Sequence, residues 1–471
     1  MKRQFLRRTF LFDASGASDR VPFGIAIVLL VSAFLMVGSG RDDLLSLLVW
    51  RPLSAFLFAL SIVLSGAEAW RRGKAVLIFG VAVVALVAAH LVPLPPEVWT
   101  ALPGRDVLTK TYEVSGIALT WQPLSMAQAR TWNALFSLAG PMALLITVLA
   151  LDRRRHQQLL RLLLAIGFLS GVLGVLQSLG PANGILYFYK ITNQGFSVGL
   201  FANRNHQAAL LATLYPLLAA HLSLFKGTPD RLFFHRSMTI AGACLLVPLI
   251  LMTGSRAGLI LAVIGMAFAW WVYKKPIAQG RVAGIRSEHR SRLVGIGFAV
   301  VLLLVVAVVA VRTPALQRLV DTDAASELRV QAFPVIMKAV GEFFPFGSGI
   351  GTFVEAYQLF EPDSFVSPSY FNHAHNDLIE LLMTGGLPAA FLVVWAALLG
   401  ARAFFAMMRR RKAGPDEADF AVQVTGRAGF AVLALLALAS VVDYPLRVPS
   451  LMLYAAVAAA WCSNAYRLTR K

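Results

Sequence analysis

Apolar runs of about 17 to 25 residues, separated by short polar breaks, recur from Val21 to the last turn of the chain. A helix needs about 20 residues to cross a hydrocarbon core, so each run is long enough to span. The runs are continuous rather than alternating, which predicts helices and excludes a membrane barrel. About twelve spans are expected, at 21–39, 44–65, 74–93, 132–151, 158–178, 206–225, 237–253, 257–273, 293–311, 377–401, 427–443 and 450–465. The expected fold is an all-α integral membrane protein in three stretches: nine spans over 1–311, a long loop over 312–376, and three spans with a tail over 377–471.

Composition agrees. Hydrophobic residues are 58%, charged residues 14% and mean hydropathy +0.69, which excludes an ordinary soluble domain. The net charge of +19 would fit a nucleic-acid binder, but the charges flank the spans, so no nucleic-acid partner is expected. Lysines and arginines crowd 1–20, 71–74, 153–155, 226–236, 274–292, 402–426 and the tail, and the opposite loops hold far fewer. The positive-inside bias then places both termini in the cytoplasm and the loops 94–131, 179–205 and 312–376 outside. The N-terminal run lacks a small-residue cleavage site and reads as a retained first span. Cys244 and Cys462 both fall within spans, so no disulfide framework is expected.

Candidate chemistry gathers where three inward-running helices begin at the outer face: Asn203-Arg204-Asn205-His206, Gly254-Ser255-Arg256, and His373-Ala374-His375-Asn376-Asp377. Helix beginnings present free N–H groups and the positive end of the dipole. With Arg204, Arg256 and His375, and with Arg329 from the loop, they would form a cradle for an anion, naturally a diphosphate. Each residue has a plainer reading: interfacial snorkelling for Arg256, capping and pairing within its loop for Arg204, pairing with Glu327 or Asp323 for Arg329, and an interfacial hydrogen bond for either histidine. His373, His375 and Asp377 alternate like metal ligands, yet positions i, i+2 and i+4 share a face only on a strand, and this segment enters a helix. No metal or other cofactor is expected. Asn376 or Asp377 reads as the cap of the tenth helix, leaving His375 to exchange a proton with a hydroxyl. Gly341–Gly351 reads as a tight glycine-rich turn that shapes backbone, with no phosphate-loop ending.

Four motifs in order, Phe201-Ala-Asn-Arg-Asn-His-Gln207, Thr253-Gly-Ser-Arg-Ala-Gly258, Arg329 followed by Phe344-Pro-Phe-Gly-Ser-Gly-Ile-Gly351, and His373-Ala-His-Asn-Asp377, resemble the O-antigen ligase and polymerase superfamily of bacterial envelopes. The resemblance runs from about residue 200 to about residue 400, and His375 with Gly386 beyond ten intervening residues matches the ligases' histidine–glycine motif. It implies a GT-C-like fold in the bacterial inner membrane. It also implies an enzyme that takes a glycan from an undecaprenyl diphosphate carrier at the periplasmic face and passes it to lipid A core, a growing polysaccharide or a protein. By the same resemblance Arg256 and Arg329 are diphosphate binders and His375 stands near the acceptor, so these three are the candidate catalytic residues. Asn203, Arg204, His206, His373 and Asn376 are the candidate substrate-binding residues. The ligases' pattern of arginine followed by leucine after three residues is not clean here: Arg256 has Leu259 and Arg329 has Phe333.

Arginines can stabilise a departing diphosphate without a divalent ion, and a histidine can deprotonate the acceptor in an inverting displacement. The expected activity is therefore a metal-independent inverting glycosyl transfer, as ligase or polymerase. A transporter or flippase of lipid-linked glycan is the alternative from another class, because about twelve spans with both termini inside suit one well. Against it stand the missing internal repeat and the gathering of polar groups at one face. An inactive scaffold of a polysaccharide assembly complex is a third reading.

Overall fold

The computed structural model describes residues 19–276, 324–365, 370–409 and 417–469. The expected span 293–311 lies outside them, as do the first eighteen residues and Asp323. Among the described residues six helices are long and apolar enough to cross a membrane, which makes this a multi-pass membrane protein.

Helix α1 (Arg20–Met36) leads to α2 (Leu47–Ala89), a continuous helical stretch where two spans were expected. The backbone breaks at Gly73, however, and α6 (Ala139–Ala150) shows what that break does. Gly140 lies beside Ser54 and Thr147 bonds Ser61, whereas Leu149 meets Gly73 and Met142 meets Gly80. Partners rise along the first limb and fall along the second, so α2 folds back into two antiparallel limbs with α6 between them. Two helical limbs stand where two spans were expected, joined by a bend rather than a loop. Arg72 ties the bend down, reaching Glu68 and the Leu151 carbonyl.

Short elements follow the second limb: β1 (Pro93–Leu94), α3 (Pro96–Trp99), α4 (Asp106–Ser115) and β2 (Gln122–Pro123), then α5 (Gln128–Ser137) running into α6. The two strands pair antiparallel, Pro93 with Pro123. Helices α7 (Arg153–Leu179), α8 (Arg204–Ser223), α9 (Pro229–Met252) and α10 (Arg256–Val272) complete the first half. Helix α8 is central, with only Arg204, Asn205 and His221 left incompletely buried. Lipid offers no hydrophobic drive between helices, so close packing must hold them, and small residues allow it. Gly258 of α10 lies on Ala208 and Gly265 on Ala212, so α8 and α10 run parallel with their beginnings level.

The described part of the expected long loop carries α11 (Ala324–Phe343) and α12 (Phe353–Gln358), before α13 (Asp377–Arg409), α14 (Glu417–Ala439) and α15 (Pro449–Thr469). It packs on the 94–131 segment. The Met126 N–H bonds the Ser348 carbonyl, Thr131 the Ile350 carbonyl, and the buried Arg105 the Gly347 carbonyl. Gly347, Gly349 and Gly351 all have positive φ, and the turn they form lies against Thr384, Ser125 and Arg130 respectively. Helix α14 ends at Ala439, four residues before the expected end of its span, so Asp443 belongs to the connection between α14 and α15.

Candidate active site

The beginnings of α8, α10 and α13 open on one face. Each is capped by a side chain, the third by Asn376 as expected: Asn203 Oδ1 accepts from the Asn205 N–H, Ser255 Oγ from Gly258, and Asn376 Oδ1 from Leu378 and Ile379. Asn376 also donates to the Val441 carbonyl, and the Asp377 N–H bonds the Ser440 carbonyl. These bonds fasten the start of α13 to the end of α14.

Asp443 joins these elements, and nothing in the sequence reading singled it out. Its side chain is 4% exposed. Oδ2 accepts from Asn205 Nδ2 at 2.7 Å and Asn203 Nδ2 at 3.2 Å. Oδ1 accepts from the Tyr444 N–H at 3.0 Å and pairs with His375 Nδ1 at 3.2 Å. Burial by itself raises a carboxyl pKa, but the His375 hydrogen bond, His206 and Arg329 outweigh it and hold Asp443 well below the usual carboxylate range. The group is a buried carboxylate.

That charge settles the imidazole. A carboxylate only accepts, so His375 Nδ1 carries the proton and donates it, which leaves Nε2 as the basic nitrogen. Burial lowers the His375 pKa, and the bond to Asp443 only partly offsets this, so the ring is neutral near pH 7. His375 has φ of 51°, a left-handed conformation uncommon outside glycine, and a local cost of this kind persists only where surroundings enforce it. Here the enforcement is visible on both sides of the residue. Glu380, 1% exposed, accepts from His373 Nδ1 at 3.0 Å and the Ala374 N–H at 2.8 Å. Arg447 pairs at 3.0 Å with both Glu380 and Asp377, and Ser440 donates to Asp377. The turn from His373 to Asp377 is thus held by an ionic cluster behind it and Asp443 in front.

Tyr444 forms the wall, its ring 4.2 Å from that of His373 and 5.0 Å from those of His206 and His375. Burial pushes its phenol up to about 12, so it stays a neutral hydroxyl. His206 Nε2 is 3.8 Å from Asp443 Oδ1, beyond a hydrogen bond, and neither ring nitrogen has a hydrogen-bond partner among the described residues. Arg329, in the second turn of α11, lies close enough for its charge to act on His375, Asp443, Tyr444 and His206. No hydrogen bond or ion pair to its side chain occurs among the described residues, and the expected plain alternative, a pairing with Glu327 or Asp323, rests on side chains outside them.

His375, Asn203, His206, His373 and Arg329 are therefore brought together. Arg204 lies at the edge, its guanidinium 4.2 Å over the Phe196 ring. Arg256 stands exposed at the first position of α10, on the turn next to Arg204, and is not among the groups bonded to Asp443. The residues missed were Asp443, Asn205, Tyr444, Glu380 and Arg447. A signal for two of them existed: Asp443 and Arg447 are the charged residues of a nine-residue break between apolar runs, and ionisable groups at such breaks are seldom idle.

Gly386 explains the spacing of the histidine–glycine motif. Its φ of 58° breaks α13, and a Cβ there would strike the Pro345 carbonyl oxygen, whose bond from the Leu387 N–H is 2.8 Å long. The glycine lets the 345–351 turn dock on α13 beneath His375.

Residues 241–394 match the family model described as O-antigen ligase. The matched segment includes Arg256, Arg329 and His375, while Asn203, His206 and Asp443 come from outside it. No curated protein matches the chain.

Proposed function

On the premise that this match sets the chain in the O-antigen ligase and polymerase superfamily, we propose that it is a metal-independent inverting glycosyltransferase. It would take a glycan from undecaprenyl diphosphate at the periplasmic face of the bacterial inner membrane and join it to a polysaccharide or lipid A core. The observation that carries this reading is the His375–Asp443 pair: a neutral imidazole whose Nδ1–H is held by a buried carboxylate. In the reaction His375 Nε2 takes the proton of the acceptor hydroxyl as its oxygen attacks the anomeric carbon. The bond from that carbon to the diphosphate oxygen breaks on the opposite face, and the diphosphate leaves with the bonding electron pair, passing from two negative charges to three as His375 becomes an imidazolium. Arg329 and Arg256 supply the compensating charge, aided by the N–H groups where α8 and α10 begin. Asn203, Arg204, His206, His373 and Asn376 line the approach and hold sugar and phosphate oxygens. Membership of a GT-C-like fold with about twelve spans and both termini in the cytoplasm belongs to the same proposal.

The test uses purified protein in vesicles with radiolabelled undecaprenyl-diphosphate glycan and an acceptor saccharide. The expected product is label covalently joined to acceptor, formed equally in the presence of a chelator and lost in His375→Ala. Label that crosses the bilayer still attached to its carrier would replace this reading with the transporter.

A further inference from the structure

We propose that a second site, on the face opposite Asp443, binds the phosphate head of an anionic phospholipid. A cavity of about 520 Å³ lies where the bend of α2, the α6–α7 junction, the early part of α14 and the end of α15 meet. Thr425 and Asn464 line it, fourteen and fifteen residues along their helices from the Asp443 end. At 1.5 Å per residue they lie about 20 Å from the candidate active site. With Asp443 at the outer face, a placement that rests on the reading above, this cavity opens at the cytoplasmic leaflet. It is large enough to bury a lipid head with its glycerol, since pockets of about 300 to 1,000 Å³ hold ligands of that size.

Its lining has two parts. Arg72, Arg153, Arg154 and Arg467 supply four positive charges against Glu68 and Asp152. Arg72 is engaged by Glu68, and Arg153 lies 3.9 Å from Asp419. Arg154 and Arg467 form no hydrogen bond or ion pair among the described residues, and both are exposed. Leu151, Val422, Trp461 and Leu468 make the other part apolar. His156, at the base, is buried and occupied, accepting from Trp461 Nε1 at 3.1 Å. Two uncommitted guanidiniums beside an apolar wall between membrane helices suit an amphiphile: phosphate on the arginines, acyl chain along the wall. A soluble phosphate would use the first part and leave the second wet.

The test is retention of lipid by the full-length protein, read by native mass spectrometry in detergent after addition of phosphatidylglycerol or phosphatidylcholine. Phosphatidylglycerol should be retained and phosphatidylcholine not. Arg154→Gln with Arg467→Gln should weaken retention about tenfold, while Arg231→Gln with Arg236→Gln, the same charge removed from exposed positions on α9, should leave it unchanged. Equal loss in both double variants would reduce the effect to general surface charge and overturn the site. Displacement by millimolar inorganic phosphate or glycerol phosphate would overturn the lipid and indicate a soluble phosphorylated ligand. The readout is retention, so it fails or succeeds independently of glycan transfer.

Discussion

Asp443→Asn is the most informative single change. Its carboxylate accepts four hydrogen bonds, two on each oxygen: Asn203 and Asn205 on Oδ2, His375 and the Tyr444 N–H on Oδ1. An amide presents one acceptor and one donor, so whichever way it turns, two donors face an NH₂. Each buried donor left without a partner costs about 1–3 kcal/mol, so the folded protein loses about 1–6 kcal/mol, least where the His375 ring changes tautomer to accept. With the NH₂ toward His375, Nδ1 must accept and the ring proton moves to Nε2, where it blocks uptake of the acceptor's proton. The expected loss in kcat is about 10²- to 10⁴-fold, the range for a misprotonated general base, with KM for the donor little changed. The pH profile gives an independent sign. Asp443 raises the His375 pKa against the larger effect of burial, so removing its charge lowers that value further, and the acid limb of residual activity moves to lower pH. The assay is the initial rate of covalent transfer in vesicles from pH 5 to 8, beside circular dichroism and thermal unfolding to show a folded sample. A variant that is folded and transfers within twofold of the wild-type rate would refute the argument that Asp443 sets the His375 tautomer.

Arg329→Ala and Arg256→Ala should each abolish transfer while the protein still inserts and folds, which gel filtration and membrane extraction will report. Arg329 lowers the His375 pKa, so any residual activity in Arg329→Ala should show its acid limb displaced to higher pH, opposite to Asp443→Asn. The wild-type rate should hold as pH falls through 6.5, the ordinary imidazole value, because the folded His375 protonates only below it; the unfolded chain takes that proton first, so stability declines as pH falls below 6.5. Thermal unfolding across that interval checks the sign. Gly386→Ala should cost several kcal/mol, because the residue sits at φ 58° and its Cβ would meet the Pro345 carbonyl, and a fall in unfolding temperature will measure it. Activity that vanishes with a chelator and returns with magnesium would contradict the arginine argument for the leaving group.

The sequence by itself determined what the bilayer dictates. Apolar run length set where helices form, since unsatisfied backbone groups cannot stay in lipid, and helices now occupy every expected span within the described residues. Helix beginnings were equally legible, because Asn203, Ser255 and Asn376 are local caps whose bonds reach only two or three residues ahead. The motifs carried Arg256, Arg329 and His375 for the same reason: they lie within one contiguous stretch. Only the tertiary structure decided that α2 folds back around α6 and that α11 brings Arg329 beside His375. It also decided that Asp443, sixty-eight residues beyond His375 and about 240 beyond Asn203, is the group that both require. No periodicity records such a pairing. A buried carboxylate is stable only where several donors converge on it, and that convergence depends on how helices distant in sequence pack together.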